Sequence, residues 1–130
     1  MNYFMVLFAL LIPVVSSAQG TTQDAETEYP QRVRAGTLLS ACTSSALTAE
    51  ERERRRYCAA FISGIEEGVR LLEHARGEKS TVCPSTWVTS RGLVDAYMNY
   101  AAKHRDKMHE PAASLVLDAL REAYPCSLTQ

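Results

Sequence analysis

Four cysteines constrain this chain more than any other feature. Cys42, Cys58, Cys83 and Cys126 all lie downstream of an apolar N-terminal run in a chain of 130 residues. That run, in MNYFMVLFALLIPVVSSAQG, extends from Tyr3 to Val15 and exits through Ser16, Ser17 and Ala18. An apolar core with a small-residue exit has the form of a secretory signal peptide, residues 1–18, cleaved after Ala18. It is shorter than the roughly 20 apolar residues of a membrane-spanning helix, so an N-terminal anchor is the weaker reading. No cysteine marks the cleavage site as that of a lipoprotein. Export leads to an oxidising compartment, where an even cysteine count in a small chain reads as two disulfides.

The competing uses of the thiols fit less well. Zinc sites bring close ligand pairs such as C-x-x-C, whereas these cysteines are separated by 16, 25 and 43 positions. His104 and His109 are five apart, off a single helical face. A Cys–His nucleophile pair needs a reduced thiol, which the compartment opposes. No metal and no cofactor is therefore expected. The formal net charge is −1, and residues 1–18 carry no charged side chain. A chain so near neutrality lacks the basic footprint of a nucleic-acid binder.

Hydrophobic periodicity predicts an all-α domain of four main helices over residues 35–130, after a polar, flexible lead-in at 19–34. The first helix is short, with Leu38, Leu39 and Cys42 on one side. The second opens on a capping box, Thr48 with Glu51, and stops at Gly77. Tyr57, Cys58, Phe61, Ile62, Ile65, Val69 and Leu72 form its predicted buried stripe. Its charged start, ERERRR, reads as a solvated face with i,i+4 pairs. Gly64 and Gly68 each cost up to about 1 kcal/mol in a helix interior, so close approach of a neighbouring helix is expected there. The third helix is capped at Thr89 or Ser90 and turns Leu93, Val94, Tyr97, Met98 and Ala101 inward. The fourth opens with Pro111 in its first turn and buries Leu115, Val116, Ala119, Leu120 and Ala123.

This order suggests how the cysteines pair. A short turn sets helices three and four antiparallel, which brings Cys83, before one, beside Cys126, after the other. Cys42 and Cys58 are placed similarly on helices one and two, with a looser fit. Cys42–Cys58 and Cys83–Cys126 are thus favoured over the two other connectivities.

The segments GTLLSAC, YCAAFISGIEEGV, VCPSTWVTSRGLVDAYMNYAAKH and HEPAASLVLDALREAYPC, in this order, resemble the Rap/Tai-type immunity proteins of type VI secretion systems. The resemblance covers residues 36–126 and accounts for all four cysteines. His104-Arg105 stands where that family usually has His-Pro. The resemblance implies a non-enzymatic periplasmic protein that binds a secreted cell-wall amidase toxin. It also implies blockade of the toxin's cleft by an inserted loop, often by a homodimer, with no stable membrane association after cleavage of the signal peptide.

Two segments are candidates for that contact. The first is His104, Arg105, Asp106, Lys107, Met108, His109 and Glu110, a polar stretch between two helices; its alternative is an ordinary solvated turn. The second is the loop 77–86 with Trp87 beside it, an interface anchor or a partly buried core residue. Asp95, Asp106 and Asp118 read as solvated charges, and nothing assembles a nucleophile, a base and an orienting group. A periplasmic chaperone that unfolds in acid is the alternative function. It is disfavoured by two disulfides and only three histidines.

Overall fold

The computed structural model describes residues 32–126. The expected signal peptide, its cleavage site and nearly all of the lead-in lie outside the described residues. Four helices make up the fold: α1 (Ala35–Cys42), α2 (Ala49–Arg76), α3 (Ser90–Lys103) and α4 (Ala112–Ala123). A 3-10 turn, Arg105–Lys107, sits between α3 and α4. No strand occurs among the described residues beyond an isolated bridge between Arg34 and Pro111.

The helix limits follow from local chemistry. Thr48 accepts the Glu51 N–H at 3.1 Å while the Glu51 carboxylate accepts the Thr48 N–H at 2.9 Å, satisfying otherwise orphaned donors of α2. Gly77 ends α2 in the left-handed region at φ 67°, where a side chain would be strained. Thr89 caps α3 by accepting the Gly92 N–H. Pro111 occupies the N-cap of α4, one position earlier than expected, and its carbonyl accepts the Ser114 N–H at 3.2 Å.

All four helices contribute to one core. Leu38, Cys58, Ile62, Tyr97, Leu115, Val116 and Leu120 are fully buried. The Tyr97 hydroxyl donates to the Ala35 carbonyl at 2.8 Å and so ties α3 to the first residue of α1. The favoured disulfides are the ones present, Cys42–Cys58 and Cys83–Cys126, with Cα separations of 5.1 and 5.0 Å.

Several sequence expectations need correction. Tyr57 and Leu72 are exposed, as is Ala123, whereas Glu66 and Glu73 occupy the buried side of α2. No helix approaches Gly64 or Gly68: a Cβ built on either meets nothing within 4 Å. Tyr57 lies beside α1, lining an open pocket with Gly36, Thr37, Ser40 and Ala41, without being covered by it, and Leu72 lies in the C-terminal part of α2. α4 does not run simply antiparallel to α3. Its end reaches the start of α3 through the Tyr124 hydroxyl on the Gly92 carbonyl at 3.1 Å, and the end of α3 through Lys103 and Glu122 at 3.0 Å. The cause is the 104–111 connection, which is tied to α1 and makes α4 begin there.

Candidate partner-binding site

The segment 104–110 is locked in place by backbone hydrogen bonds. The Ala35 N–H donates to the Glu110 carbonyl and the Gly36 N–H to the Met108 carbonyl, both at 2.9 Å. In return the Ala112 N–H donates to the Val33 carbonyl at 2.8 Å. Two turns within the segment close through Lys107 N–H to His104 carbonyl and Glu110 N–H to Lys107 carbonyl. Gly36 eases this approach: a Cβ there would lie 3.3 Å from the Met108 carbonyl oxygen, a tight contact. The His104 ring stacks on Tyr100, with centroids 4.1 Å apart.

This clamp divides the seven predicted residues into two sets. His104, Lys107, Met108 and Glu110 are half-buried and anchor the segment, with Met108 packed against the core. Arg105, Asp106 and His109 are exposed. Among the described residues, the side chains of these three have no hydrogen bond or ion pair with any other residue. Beside them lies an open groove of about 630 Å³, lined among others by Gly36, Leu39, Met98, Ala102, Arg105 and Met108. Its floor is apolar and its rim carries a guanidinium, so it suits an apolar side chain accompanied by an acceptor. The contribution of Val33 to Gly36 was not legible in the sequence, because backbone donors leave no residue signature.

Trp87 is 88% exposed, in a turn closed by the Val88 N–H on the Ser85 carbonyl at 3.0 Å. It is not the partly buried core residue that its position in the sequence favoured. The segment carrying it is held on the inside. Buried Glu73 accepts from both the backbone N–H and the hydroxyl of Thr81, Val82 is buried, and the Cys83 N–H donates to the Tyr124 carbonyl at 2.9 Å. Glu73 is a residue that sequence reasoning missed; a lone glutamate in a charged helix looks solvated. Trp87 precedes α3 and the 104–110 segment follows it, so the helix separates them by about 21 Å along its axis. The two candidates are therefore distinct surfaces.

The model of the Rap1a immunity proteins matches residues 34–126. The chain belongs to this family. No curated protein and no solved structure matches the chain. As a Rap1a family member the protein is an immunity protein, a binder of a secreted toxin, in a family that is generally non-enzymatic. Its two disulfides are consistent with export, and no described helix is long and apolar enough to cross a membrane. The matched region begins at Arg34, the residue bridged to Pro111, so it includes the Ala35 and Gly36 bonds of the clamp on the 104–110 segment.

Proposed function

We propose that this protein is exported to the periplasm by a cleaved signal peptide and there neutralises a cell-wall amidase toxin. In this reading the 104–110 segment enters the toxin's active-site cleft, Trp87 is a second contact, and the inhibitor works as a pair of copies. No catalytic step or cofactor is involved. The observation that carries the reading is the clamped segment with Arg105, Asp106 and His109 directed to solvent. A loop already fixed in shape loses little conformational freedom on binding, which leaves more of the contact energy as affinity. A complex of this kind buries on the order of 1,600 Å² in total.

The test is affinity capture with the mature, oxidised protein from secreted and periplasmic proteins, followed by an amidase assay on peptidoglycan fragments with the captured partner. One stoichiometric amidase, inhibited by the parent protein, is the expected result. Replacing Arg105, Asp106 and His109 together by Ala should weaken inhibition at least about 100-fold, the size of effect interface anchors carry. The fold should persist, since none of the three is tied to other side chains. Unchanged inhibition would remove the 104–110 segment from the contact.

A further inference from the structure

The groove beside Arg105 does not end at α1. It adjoins a second hollow of about 440 Å³ that continues past Cys42 and Cys58 toward the start of α3. Thr43 and Met98 line both, so the two form one trough. One wall is a single face of α3 and the turn after it: Arg91, Asp95, Met98, Ala102 and Arg105, in steps of four and three. At 1.5 Å per residue that wall is about 21 Å long. Its floor is apolar. Leu39, Met98 and Met108 are half-buried along it, and the Thr43 and Ser44 hydroxyls already donate to the Leu39 and Ser40 carbonyls of α1. Its two ends are cationic. Arg55, on α2, lines the end beside Arg91, and Arg105 lines the other. Both are exposed, and among the described residues neither guanidinium has a hydrogen bond or ion pair. The carboxylate of the trough, Asp95, already faces Arg91 at 3.9 Å.

We infer that this trough receives an extended segment of the toxin, about six or seven residues long, apolar in its middle and carrying a carboxylate at each end. Charge complementarity selects the occupant. Two unpaired guanidiniums about 21 Å apart call for two carboxylates at that spacing, which an extended chain reaches in six or seven residues at about 3.3 Å each. The methionines suit its middle, since an unbranched thioether adapts to varied apolar side chains. Asn99 lines the trough, is exposed and has no hydrogen-bond partner among the described residues. Its amide offers both a donor and an acceptor, the pair that an extended backbone leaves free and a helix does not. A second copy of the chain does not fit here. A two-fold axis would set Arg55 against Arg105, and two concave surfaces cannot fill one another. Two free cations are likewise too few to hold a phosphate backbone.

This inference rests on the toxin-binding reading above and gives the toxin a seat as well as an obstruction. Its test is the affinity of the captured amidase for the mature, oxidised chain and three variants, measured by titration calorimetry at low and high salt. Arg55→Glu should weaken binding at least tenfold at low salt and less at high salt, because exposed charges are screened. Ala102→Trp fills the trough from an exposed position and should weaken binding at least tenfold at both. Arg56→Glu makes the same charge change at the next residue, outside the trough, and should bind as the parent does. All three should keep the parent's circular dichroism and stay close to its melting temperature. A benzophenone side chain placed at Ser40, which is exposed in the trough, should crosslink under light to an apolar toxin segment flanked by acidic residues. Parent-like binding by both trough variants overturns the inference and leaves the toxin reading standing. A crosslink to a segment without acidic residues, or to a second copy of the chain, overturns it too. If no amidase is captured, the toxin reading fails and takes this inference with it.

Discussion

Tyr97 joins the core to the partner-binding segment through one hydroxyl. It is fully buried and donates to the Ala35 carbonyl, and Ala35 in turn donates its N–H to Glu110. Burial pushes the Tyr97 phenol up from 10.0 to about 12. Folding therefore favours the protonated form. That contribution is complete below pH 10 and is lost as the pH rises through about 12. Tyr97→Phe should cost about 1–2 kcal/mol at neutral pH, the usual cost of deleting one partner of a buried hydrogen bond. Its stability should also fall less than the parent's over that alkaline window. Denaturant melts of both proteins at neutral and alkaline pH read the two effects separately. The sequence indicated Tyr97 as core by its spacing from Leu93 and Ala101, but not its bond across to α1. The same blindness hid Glu73, whose carboxylate is buried only because Thr81 folds back onto it.

At the scale of elements, the helices were legible because their ends are written in residue types. Thr48 with Glu51, Gly77 and Thr89 each satisfy or terminate backbone groups that any helix leaves exposed. Packing was less legible. Period alone assigned Tyr57 and Leu72 to the buried stripe, yet burial depends on which neighbouring elements cover each position, and both are exposed. The oblique course of α4 was hidden for a related reason, since the clamp on residues 108–112 is made by backbone groups. The cap of α2 also carries a pH signature. Hydrogen bonds from Ser45 foremost, then from the Thr48 and Leu47 backbone, hold the Glu51 carboxyl below its ordinary 4.5. Its ionised form is favoured by folding, so the stabilisation is present above pH 4.5 and disappears as the pH falls through the lower folded value. Glu51→Gln keeps an acceptor at the cap but removes the charge. The variant should lose less stability than the parent on acidification below pH 4.5, as measured by thermal melts across that range. A parallel decline in the two proteins would mean that other carboxylates control the acid limb.

Across the whole molecule, the two disulfides differ in access and in what they hold. Cys42 and Cys58 are buried, Cys58 to 1% exposure, whereas Cys83 is exposed and Cys126 half-buried. A reductant reaches a sulfur by in-line attack, so access sets the order. Limited reduction followed by alkylation and peptide mapping should label Cys83 and Cys126 before Cys42 and Cys58. Chain-entropy reasoning assigns about 4 kcal/mol to the outer bridge, which spans 43 positions, and about 3 kcal/mol to the inner one, which spans 16. Domains of this size have only about 5–15 kcal/mol in total, so Cys83→Ser with Cys126→Ser should lower the melting temperature substantially. Binding should respond unevenly. The 104–110 segment is clamped by Val33 to Gly36 and by Tyr97, none of which depends on the outer bridge, whereas Trp87 sits four residues from Cys83 and relies on it directly. Below its melting temperature the double variant should therefore retain inhibition carried by Arg105, Asp106 and His109, while Trp87 fluorescence reports a more mobile, more solvated indole. Loss of inhibition together with an unchanged Trp87 signal would reverse the assignment, placing the toxin's main support at the disulfide end of α3.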